Sequence, residues 1–527
     1  MPTNVYRVEV DWEGNGLFAG ADDDITSDVI NAQFRRGRDY ASQLTGNSTA
    51  GTLRLRLNNT SGKYSPSNAA SALSGKNLPG RMCRFVIAPS SEFPYEFPFN
   101  FSTEAVDIWN GRLENVTPNP SSHNVDTCTL NALGPLGYIN EFVPESDMET
   151  TVRTDEAVGM ILNAVQWPAV YRDLAVGQTT MTRWWTDSNR TIDALRIVEE
   201  TEGGFIKEKA NGDIGFESRI TRLASPFNTS QATFSDAAGA TNSYMSLEQV
   251  DPLANILNEV RALSYTYNYP SLGVLWTHPE TGADSPFFHP GETKTFIATY
   301  PNNISPIGAA GVNSWVAPVA TTDYTCNTQS GGTGVDSTSE YTVTVSPLTG
   351  GYVVRNRMNI TITNTSTWRS GFLTKLEARG YAVNANAPVT VEAVDTVSQN
   401  IYGDRSFTAD TLFFPSSTYA QSWCTFQNQI FGTPINFLRL NFNANVSAAN
   451  IYEANNRDIS DRITVVANNN APLGINEDFF IEEIRHTVSN GGTQHMVSWL
   501  LSPATGGYSQ FWVLGTGLLG TSTVPAY

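Results

Sequence analysis

Few parts of this 527-residue chain combine the residue types and spacing that chemistry requires, and the clearest lies near the N-terminus. The run Asp11-Trp12-Glu13-Gly14-Asn15-Gly16 places oxygen-bearing side chains at alternate positions before a glycine, and Asp22 follows eleven residues after Asp11. Alternating oxygens before a glycine can wrap a calcium ion. Leu17 interrupts the pattern, however, and Asp22 replaces the usual bidentate glutamate. We therefore favour a polar hairpin turn over a metal site.

A second candidate is the pair His486 and His495, which flank Asn490-Gly491-Gly492. If Asn490-Gly491 forms a two-residue turn, the two imidazoles face each other across a hairpin; if the turn centres on Gly491-Gly492, they separate. Imidazoles on adjacent strands can share a metal ion, but the sequence offers no evident third ligand. We therefore predict a cross-strand packing pair.

The cysteines and two further histidines point to no site. Four cysteines lie far apart, without CxxC or CxxxC spacing: Cys83, Cys128, Cys326 and Cys424. That pattern argues against structural zinc and against a disulfide-stapled scaffold. Cys128 alternates with Leu130 and is interpreted as a small core residue. His278 and His289 lie in proline-containing stretches that are typical of loops.

Hydrolytic machinery is difficult to assemble from this sequence. It contains no GxSxG, no HExxH and no phosphate-cradling glycine loop. The side chains of the adjacent acids Glu199-Glu200 and Glu482-Glu483 point in different directions, so neither pair forms a glycosidase site by itself. A hydrolase built from carboxylates that are distant in sequence stays open as an alternative. Trp184-Trp185 could stack on sugar rings, but aromatic core is the commoner role. We predict no catalytic residues, no cofactor, no cofactor-binding residues and no metal ligands, and hence no enzyme.

The charge balance excludes two classes of main partner. Lys and Arg total 32 against 51 Asp and Glu, which gives a net charge of −19. Nucleic acid and anionic membranes attract basic proteins, so neither is expected as the main partner. The one basic patch comprises Arg35, Arg36 and Arg38, and we interpret it as a solvated face or a salt-bridge site between subunits. No apolar run is long enough to span a membrane, and the N-terminus lacks the pattern of a signal peptide.

The surrounding elements are mainly β-strands. Val5 to Trp12 alternates apolar and polar residues, and Leu53, Leu55 and Leu57 alternate with arginines, as in half-buried strands. Further short runs separated by Gly, Pro and Asn continue through the first 140 residues. Such spacing predicts a barrel or a sandwich.

Residues 145–222 are predicted to form a small α/β domain. Apolar residues recur at helical spacing after Thr154, which can cap the helix, and Pro168 closes the segment. A second helix is predicted over about Thr191 to Glu200. Asn211-Gly212 then predicts a tight hairpin in which both turn residues have positive φ.

The later segments give a second β-rich region. Residues 265–395 are interpreted as an inserted β-sandwich, with an exposed loop at Ser330–Gly334. A helix is predicted over about Tyr419 to Ile430. Ile463 to Ala467 and Phe479 to Trp499 are predicted strands, the latter folding back at Asn490-Gly491.

Several local pieces occur in an order that resembles tail-tip (baseplate) hub proteins of long-tailed, siphovirus-like bacteriophages or prophages. The pieces similar to the first hub barrel are Val8-Glu9-Val10-Asp11-Trp12, Phe34-Arg35-Arg36-Gly37-Arg38-Asp39, Gly51-Thr52-Leu53-Arg54-Leu55, Lys63-Tyr64-Ser65-Pro66 and Leu78-Pro79-Gly80-Arg81. The later pieces are Ala194-Leu195-Arg196-Ile197-Val198-Glu199-Glu200, Gly203-Gly204-Phe205, Gly212-Asp213-Ile214-Gly215-Phe216-Glu217, Ser398-Gln399-Asn400-Ile401-Tyr402-Gly403-Asp404-Arg405 and Phe511-Trp512-Val513-Leu514-Gly515. The resemblance covers about 1–260 and 395–527.

The resemblance implies a mainly β fold of hub-type, tube-like β-barrels with a small α/β domain. It does not account for the middle of the chain, where the strand pattern alone predicts the inserted β-sandwich. The predicted domains are an N-terminal hub barrel (1–142), an α/β hub domain (143–222), connecting strands of a second barrel (223–264), the inserted sandwich (265–395), an α/β segment (396–454), and second-barrel strands with a C-terminal tail (455–527).

It also implies a function and partners. The chain would be a structural virion protein, assembled in the host cytoplasm, that forms a homotrimeric ring at the distal end of the tail tube. Its partners would be copies of itself, the distal tail protein, the tape-measure protein and a tail fibre or receptor-binding protein, with a host-surface glycan also open. DNA would pass through the ring at genome ejection without being specifically bound. The alternative is a carbohydrate-binding or cell-wall-degrading surface or tail protein.

Overall fold

The computed structural model describes residues 5–39, 47–87, 106–121, 125–146, 148–186, 189–250, 256–279, 284–300, 308–346, 357–410, 413–469 and 473–504. Strands dominate these segments, and helices are short and few, which confirms the prediction of a mainly β fold with a small α/β part. Within the described segments, no helix is both long and apolar enough to cross a bilayer. The C-terminal piece Phe511–Gly515 lies outside the described residues.

Six strands form the N-terminal β unit: β1 (Tyr6–Val10), β2 (Val29–Asp39), β3 (Asn47–Asn58), β4 (Met82–Ile87), β5 (Val106–Asn119) and β6 (Thr127–Leu133). The alternation seen in the sequence decides which side chains turn inwards. Leu53, Leu55 and Leu57 are buried in one core, together with Val8 and Cys128. Burial of these side chains provides the main stabilisation of the unit.

The α/β unit follows directly. Its elements are α1 (Pro135–Ile139), β7 (Glu149–Arg153), α2 (Thr154–Ala164), β8 (Arg172–Leu174), β9 (Thr180–Trp184), α3 (Thr191–Glu202), β10 (Phe205–Glu208) and β11 (Ile214–Glu217). The predicted helices and the hairpin are confirmed. Two local details were wrong. Arg153, not Thr154, is the N-cap of α2, and only Gly212 in the Asn211-Gly212 turn has positive φ.

The hairpin turn is one residue longer than the tight turn expected for Asn-Gly. The Gly212 N–H donates to Lys209 O at 3.0 Å, and the Lys209 N–H donates to Asp213 O at 2.9 Å. This arrangement is a type I turn followed by a glycine in the left-handed region, which needs only one positive φ.

The middle of the chain contributes most of the remaining elements. They are β12 (Ala232–Ser235), β13 (Ser246–Val250), β14 (Glu259–Ser264), β15 (Tyr267–Asn268), β16 (Gly273–Thr277), β17 (Phe287–Phe288), β18 (Thr293–Thr299), β19 (Gly308–Val316), β20 (Tyr324–Asn327), β21 (Tyr341–Ser346), β22 (Arg357–Asn364), β23 (Gly371–Ala385), β24 (Val389–Val394), α4 (Thr396–Tyr402), β25 (Ser406–Ala409) and α5 (Ser417–Phe431). Helix α5 confirms the helix predicted there.

The chain ends its described part with β26 (Phe437–Asn443), α6 (Ala448–Asn456), β27 (Arg462–Ala467), β28 (Ile475–Ser489) and β29 (Gln494–Pro503). These strands pair with β12 and β13, which come from much earlier in the sequence. We call β12, β13 and β26–β29 the C-terminal β unit. Its core contains Phe234, Phe442 and Trp499.

The two β units share one 12-stranded sheet. Its strand order is β1-β4-β5-β6-β3-β2-β28-β29-β26-β13, with β27 paired to β28 and β12 to β27. Strand β28 makes this continuity possible because it is 15 residues long. Its first half, from Ile475 to Phe480, pairs with β27, and its second half, from Glu483 to Ser489, pairs with β2.

Strands β15 to β23 form an inserted β-sandwich, as predicted. Strand β23 pairs with β15, β16, β17, β19 and β20 in one sheet, while β18, β22 and β21 form the other. Phe288, Ile360, Ile362 and Leu373 are among the buried residues between the sheets. The root of the insertion lies on a separate three-stranded sheet, in which β14 pairs with β24.

Candidate functional site

The junction between the two β units is the most unusual part of the molecule. Strand β2 meets the second half of β28 just after an irregularity between Ile481 and Glu483. Opposite it, Gly37 has φ +135°, and a Cβ there would lie 2.4 Å from the carbonyl oxygen of Glu482. Only glycine allows the two backbones to approach this closely.

The basic patch lies at this junction and is not a solvated face. The Arg36 and Arg38 side chains are buried. The Arg36 guanidinium contacts Asp458 at 2.6 Å, and Arg38 contacts Glu199 at 3.4 Å. Both the solvated-face interpretation and pairing with another subunit are therefore wrong for these two residues. Their acidic partners, Asp458 and Glu199, belong to other parts of the same chain.

Arg222 provides the central ion pair of the junction. Its Nη1 and Nη2 atoms lie 2.5 and 2.9 Å from the two carboxylate oxygens of Glu482. Arg38 also lies 3.7 Å from Glu482, and Ser502 donates a hydrogen bond to the same carboxylate. Burial by itself would raise the pKa of Glu482, but the two arginines hold it below its ordinary value. Charges removed from water in this way need such complete pairing.

Glu208 ties the α/β unit to the N-terminal β unit. Its carboxylate accepts hydrogen bonds from the backbone N–H of Gly51 at 2.8 Å and of Leu136 at 2.7 Å. A Cβ on Gly51 or Gly134 would come within 2.2 Å of this carboxylate. Burial raises the pKa of Glu208 to about 7, against the opposing effect of these N–H groups and of Arg36. The side chain also occupies the N-terminus of α1, where a negative charge is favoured.

A second buried pair connects the α/β unit to helix α5. Glu202 contacts Arg219 at 3.2 Å and accepts a hydrogen bond from the Thr154 hydroxyl at 2.9 Å. The Arg219 guanidinium also donates to the hydroxyl of Tyr419 on α5 at 3.2 Å. Charged side chains of the α/β unit therefore contact the N-terminal β unit, through Glu199 and Glu208, and helix α5, through Arg219. Such networks favour one specific arrangement of the units.

The two histidines contact each other, but not in the predicted register. The turn centres on Gly491-Gly492, so His486 is opposite Val497. His495 is nevertheless its diagonal neighbour on the same face, and His486 Nδ1 lies 2.7 Å from His495 Nε2. The packing pair is confirmed, and the expected separation for this turn was wrong because diagonal neighbours are within reach of long side chains. His486 also stacks on Phe34, with ring centroids 4.6 Å apart.

Burial dominates the chemistry of the pair. It lowers the pKa of His495 to about 4 and that of His486 well below its ordinary value. Both rings are therefore neutral near pH 7, and one nitrogen donates to the other. Within the described residues, no cluster of three or more His, Cys, Asp or Glu side chains is arranged to hold a metal.

The Asp11 segment forms a hydrogen-bonded turn. One carboxylate oxygen of Asp11 accepts N–H groups from Gly14 at 2.7 Å and Asn15 at 3.2 Å. The other accepts the N–H of Gly16 at 2.8 Å. Both oxygens thus organise the backbone of the turn, which confirms the interpretation as a polar turn.

The tryptophan pair and the adjacent acids named in the sequence analysis do not form a site either. Trp184 and Trp185 are buried, so neither ring is available to stack on a sugar. The adjacent acids Glu199 and Glu200 point apart, since Glu199 faces Arg38 while Glu200 lies near Asp410. Likewise, Glu482 faces inwards to Arg222, and Glu483 contacts Arg35 at 3.2 Å.

The cysteines and the two remaining histidines join no site in the structure. All four thiols are buried and free of disulfides, and Cys128 belongs to the N-terminal core as predicted. His278 directly follows β16 and packs edge-on against Trp276 and Phe296. His289 follows β17 and is exposed, as expected for a loop residue.

Comparisons with known proteins match the fold of the chain and not its sequence. No family model matches it, and no curated protein matches it. The tail protein from Neisseria meningitidis MC58 superposes with a TM-score of 0.50 at 8% identity, over 96% of this chain and 98% of that one. The 43 kDa tail protein of prophage MuSo2 from Shewanella oneidensis gives 0.45 at 9% identity, over 95% and 98%. The Neisseria protein shares the fold, so the resemblance inferred from the sequence is confirmed at that level.

Proposed function

We propose that this chain is a non-enzymatic structural subunit of a phage tail, located in the virion at the distal end of the tail tube. The observation that supports this most directly is the fold shared over nearly the full length with a tail protein. In this proposal, three copies form a ring that links the tube to the distal tail, tape-measure and fibre proteins.

The continuous sheet supplies the physical argument for a trimer. One chain carries two β units side by side, joined through β2 and β28. Three such chains would present six β units around one axis, which suits a tube of sixfold symmetry. A closed cyclic ring also covers strand edges that would otherwise be open to non-specific pairing.

The two ends of the main strand order differ, and β12, beside β27, forms a third edge of the sheet. Beside β1, the segment around Asp23 to Ile25 pairs irregularly with the strand, since Val10 N donates to Asp23 O at 2.9 Å and Ile25 N to Val8 O at 2.9 Å. At the other end, β13 pairs with β26 alone among the described strands. We place the neighbouring copy of the ring against this β13 edge.

The acidic composition is compatible with a DNA passage. A net charge of −19 disfavours adhesion of DNA to the protein. DNA would then slide through the ring without being bound specifically.

Native mass spectrometry of the full chain tests the proposal, together with averaged images of tail tips. A three-chain ring with a central passage or plug is expected. A stable monomer at high concentration, or a ring of six copies, would contradict it. Cell-wall zymography of the purified chain should be blank, and a cleared band would favour the wall-degrading alternative.

A further inference from the structure

One face of the inserted sandwich carries a regular array of threonines. It is the outer face of the sheet β18-β22-β21, whose inner face contributes Met358, Ile360 and Ile362 to the core. Two cross-strand rows stand at one end of this face: Thr342, Thr363 and Thr293, then Thr344, Thr361 and Thr295. Neighbours along a strand are about 6.8 Å apart and neighbours across strands about 4.8 Å.

The hydroxyls of this array are ordered by each other. The Thr293 and Thr363 hydroxyls lie 2.9 Å apart, and those of Thr295 and Thr361 lie 3.1 Å apart. Each hydroxyl can donate once and accept twice, so both pairs keep hydrogen-bonding capacity towards solvent. The methyl groups add apolar patches at the same spacing.

An exposed tryptophan stands at the same end of the face. Strand β22 ends at Asn364, and the Trp368 side chain that follows is 71% exposed. The Arg369 guanidinium covers one side of the indole, 4.5 Å from its ring centroid. Arg369 is held in turn by Glu340, at 2.9 Å. The Thr365 N–H and hydroxyl both donate to the Glu340 carbonyl oxygen, which fixes this loop to the start of β21.

This end of the sandwich is its outer tip. At the opposite end of β22, Arg357 contacts Glu145 beside the α/β unit at 3.5 Å. The eight residues of β22 carry the chain roughly 25 Å away from that contact. Trp368 and the threonine rows are therefore displayed away from the rest of the protein.

We propose that the threonine rows and Trp368 form a binding site for a neutral glycan. Sugar rings offer an apolar face that stacks on indole and a periphery of hydroxyls that pairs with threonine hydroxyls. Arg357, at the far end, is the one charged side chain among the outward-facing residues of the three strands. The charge of Arg369 is balanced by Glu340, so the tip has no strong preference for an anion.

A protein partner fits this surface less well. The buried centre of a protein interface is richer in apolar and aromatic groups than its rim. Among the described residues, the large exposed apolar side chains near the array are Ile297, Trp368 and Val345, and Val345 is turned towards the inner side of the sheet. Threonine also favours strands for intrinsic reasons. The edge strand β18 carries its protective charge, Lys294, on the inner side of the sheet, where it pairs with Glu292. The outer face of β18 and β21 is therefore uncharged, which suits a neutral ligand.

Affinity electrophoresis of the full chain tests the site, with dextran, laminarin, soluble starch and hydroxyethylcellulose as neutral probes and polygalacturonate as the anionic probe. At least one neutral polymer should retard the protein. Trp368→Ala and Thr361→Lys should each weaken that retardation at least tenfold. The matched control is Tyr269→Ala, because Tyr269 is 52% exposed and also lies under an arginine, Arg183, but away from the array.

The results of these binding experiments test the glycan site independently of the proposed tail function. Retardation by no neutral polymer, retardation by polygalacturonate alone, or unchanged binding by Trp368→Ala would each overturn it. Loss of self-association in Trp368→Ala would also overturn it, in favour of a protein interface. The oligomeric state is measured independently, so failure here leaves the ring proposal standing.

Discussion

Arg222 and Glu482 are 260 residues apart in sequence, yet their side chains meet end to end through two hydrogen bonds of 2.5 and 2.9 Å. Both side chains are buried, and Arg38 and Ser460 complete their surroundings. The pair joins the segment after the α/β unit to the strand that crosses the two β units. Its integrity therefore determines how the units sit against one another.

Breaking this pair from one side should be costly. Glu482→Leu or Arg222→Leu removes one member of the buried pair and leaves the other without its closest opposite charge, so each should destabilise the chain by about 3–5 kcal/mol. The double variant should lose less than the two single losses added together, since both charges are gone. Unfolding in urea measures the effect. Lys76→Ala, which removes an exposed pair with Glu13, should shift the urea midpoint far less, because exposed pairs contribute little; equal losses for both pairs would contradict this expectation.

Gly37 should not tolerate a side chain. In Gly37→Ala the new Cβ would lie 2.4 Å from Glu482 O and 2.6 Å from Glu483 Cα, both of which are backbone atoms. One strand must then shift, and we expect a loss of at least about 2 kcal/mol. Scanning calorimetry would show it as a lowered unfolding temperature. Gly239→Ala is the control, because Gly239 also has positive φ but open space around it.

The histidine pair should make the chain sensitive to acid. Burial lowers the pKa of His495 to about 4, while the unfolded chain has a value near 6.5. Between these values the unfolded state binds more protons, so the stabilisation is complete above pH 6.5 and is lost as the pH falls towards 4. The loss from His495 alone is about 3 kcal/mol over that window.

The test compares the pH dependence of unfolding in the wild type and His495→Gln. The comparison is needed because burial raises the pKa of Glu200 and Glu208 to about 7, which has the opposite effect between pH 4.5 and 7. The variant should show a smaller loss on acidification than the wild type. Parallel profiles for wild type and His495→Gln would refute the prediction.

The Asp11 turn should be stable without calcium. Its two carboxylate oxygens already accept the N–H groups of Gly14, Asn15 and Gly16. Asp11→Ala leaves these donors without their acceptor and should cost about 1–3 kcal/mol. The unfolding temperatures of both proteins should be the same with calcium or with a chelator. A rise on adding calcium that disappears in Asp11→Ala would restore the metal interpretation.

The sequence predicts local structure here better than the way distant segments meet. Alternation around Leu55 and helical spacing around Ile161 reflect neighbours in the chain, and both elements are found as predicted. The junction between the two β units could not be predicted from the sequence. Arg38 meets Glu199 and Glu482 only when three units of the fold pack together. The sequence nevertheless contained a signal for this junction. Charged residues such as Arg36 and Arg38, beside a glycine such as Gly37, are unusual within an interior strand unless the charges are paired and the backbone is closely packed.

The pairing of β28 with β29 around the two histidines also could not be predicted from the sequence, although these strands are adjacent in the chain. Asn490-Gly491-Gly492 allows two turns that differ by one residue, and nothing in the local sequence decides between them. The structure uses the second, with Ser489 opposite Gln494. Both turns leave Val488 and Val497 on the same, buried face of the hairpin, so the hydrophobic pattern does not distinguish the two registers either.

The inserted sandwich should be removable without loss of assembly. Its two connections enter and leave side by side, since Ser264 pairs with Val389 and Asn268 with Asn384. Its own core, around Phe288 and Ile360, is separate from the others.

A deletion should keep the root of the insertion, because Tyr265, Val383 and Ala385 belong to the core of the α/β unit and Tyr267 packs against it. Removing residues 270–382 and joining Tyr269 to Val383 through Asn-Gly replaces the sandwich with a two-residue hairpin turn. The deleted chain should have the same oligomeric state as the wild type in native mass spectrometry, and should lose retardation by neutral polysaccharides. A control that also removes 265–269 and 383–386 should be destabilised, as it strips Tyr267 from Trp185. A shortened chain that keeps its fold but no longer assembles would show that the sandwich is part of the ring itself.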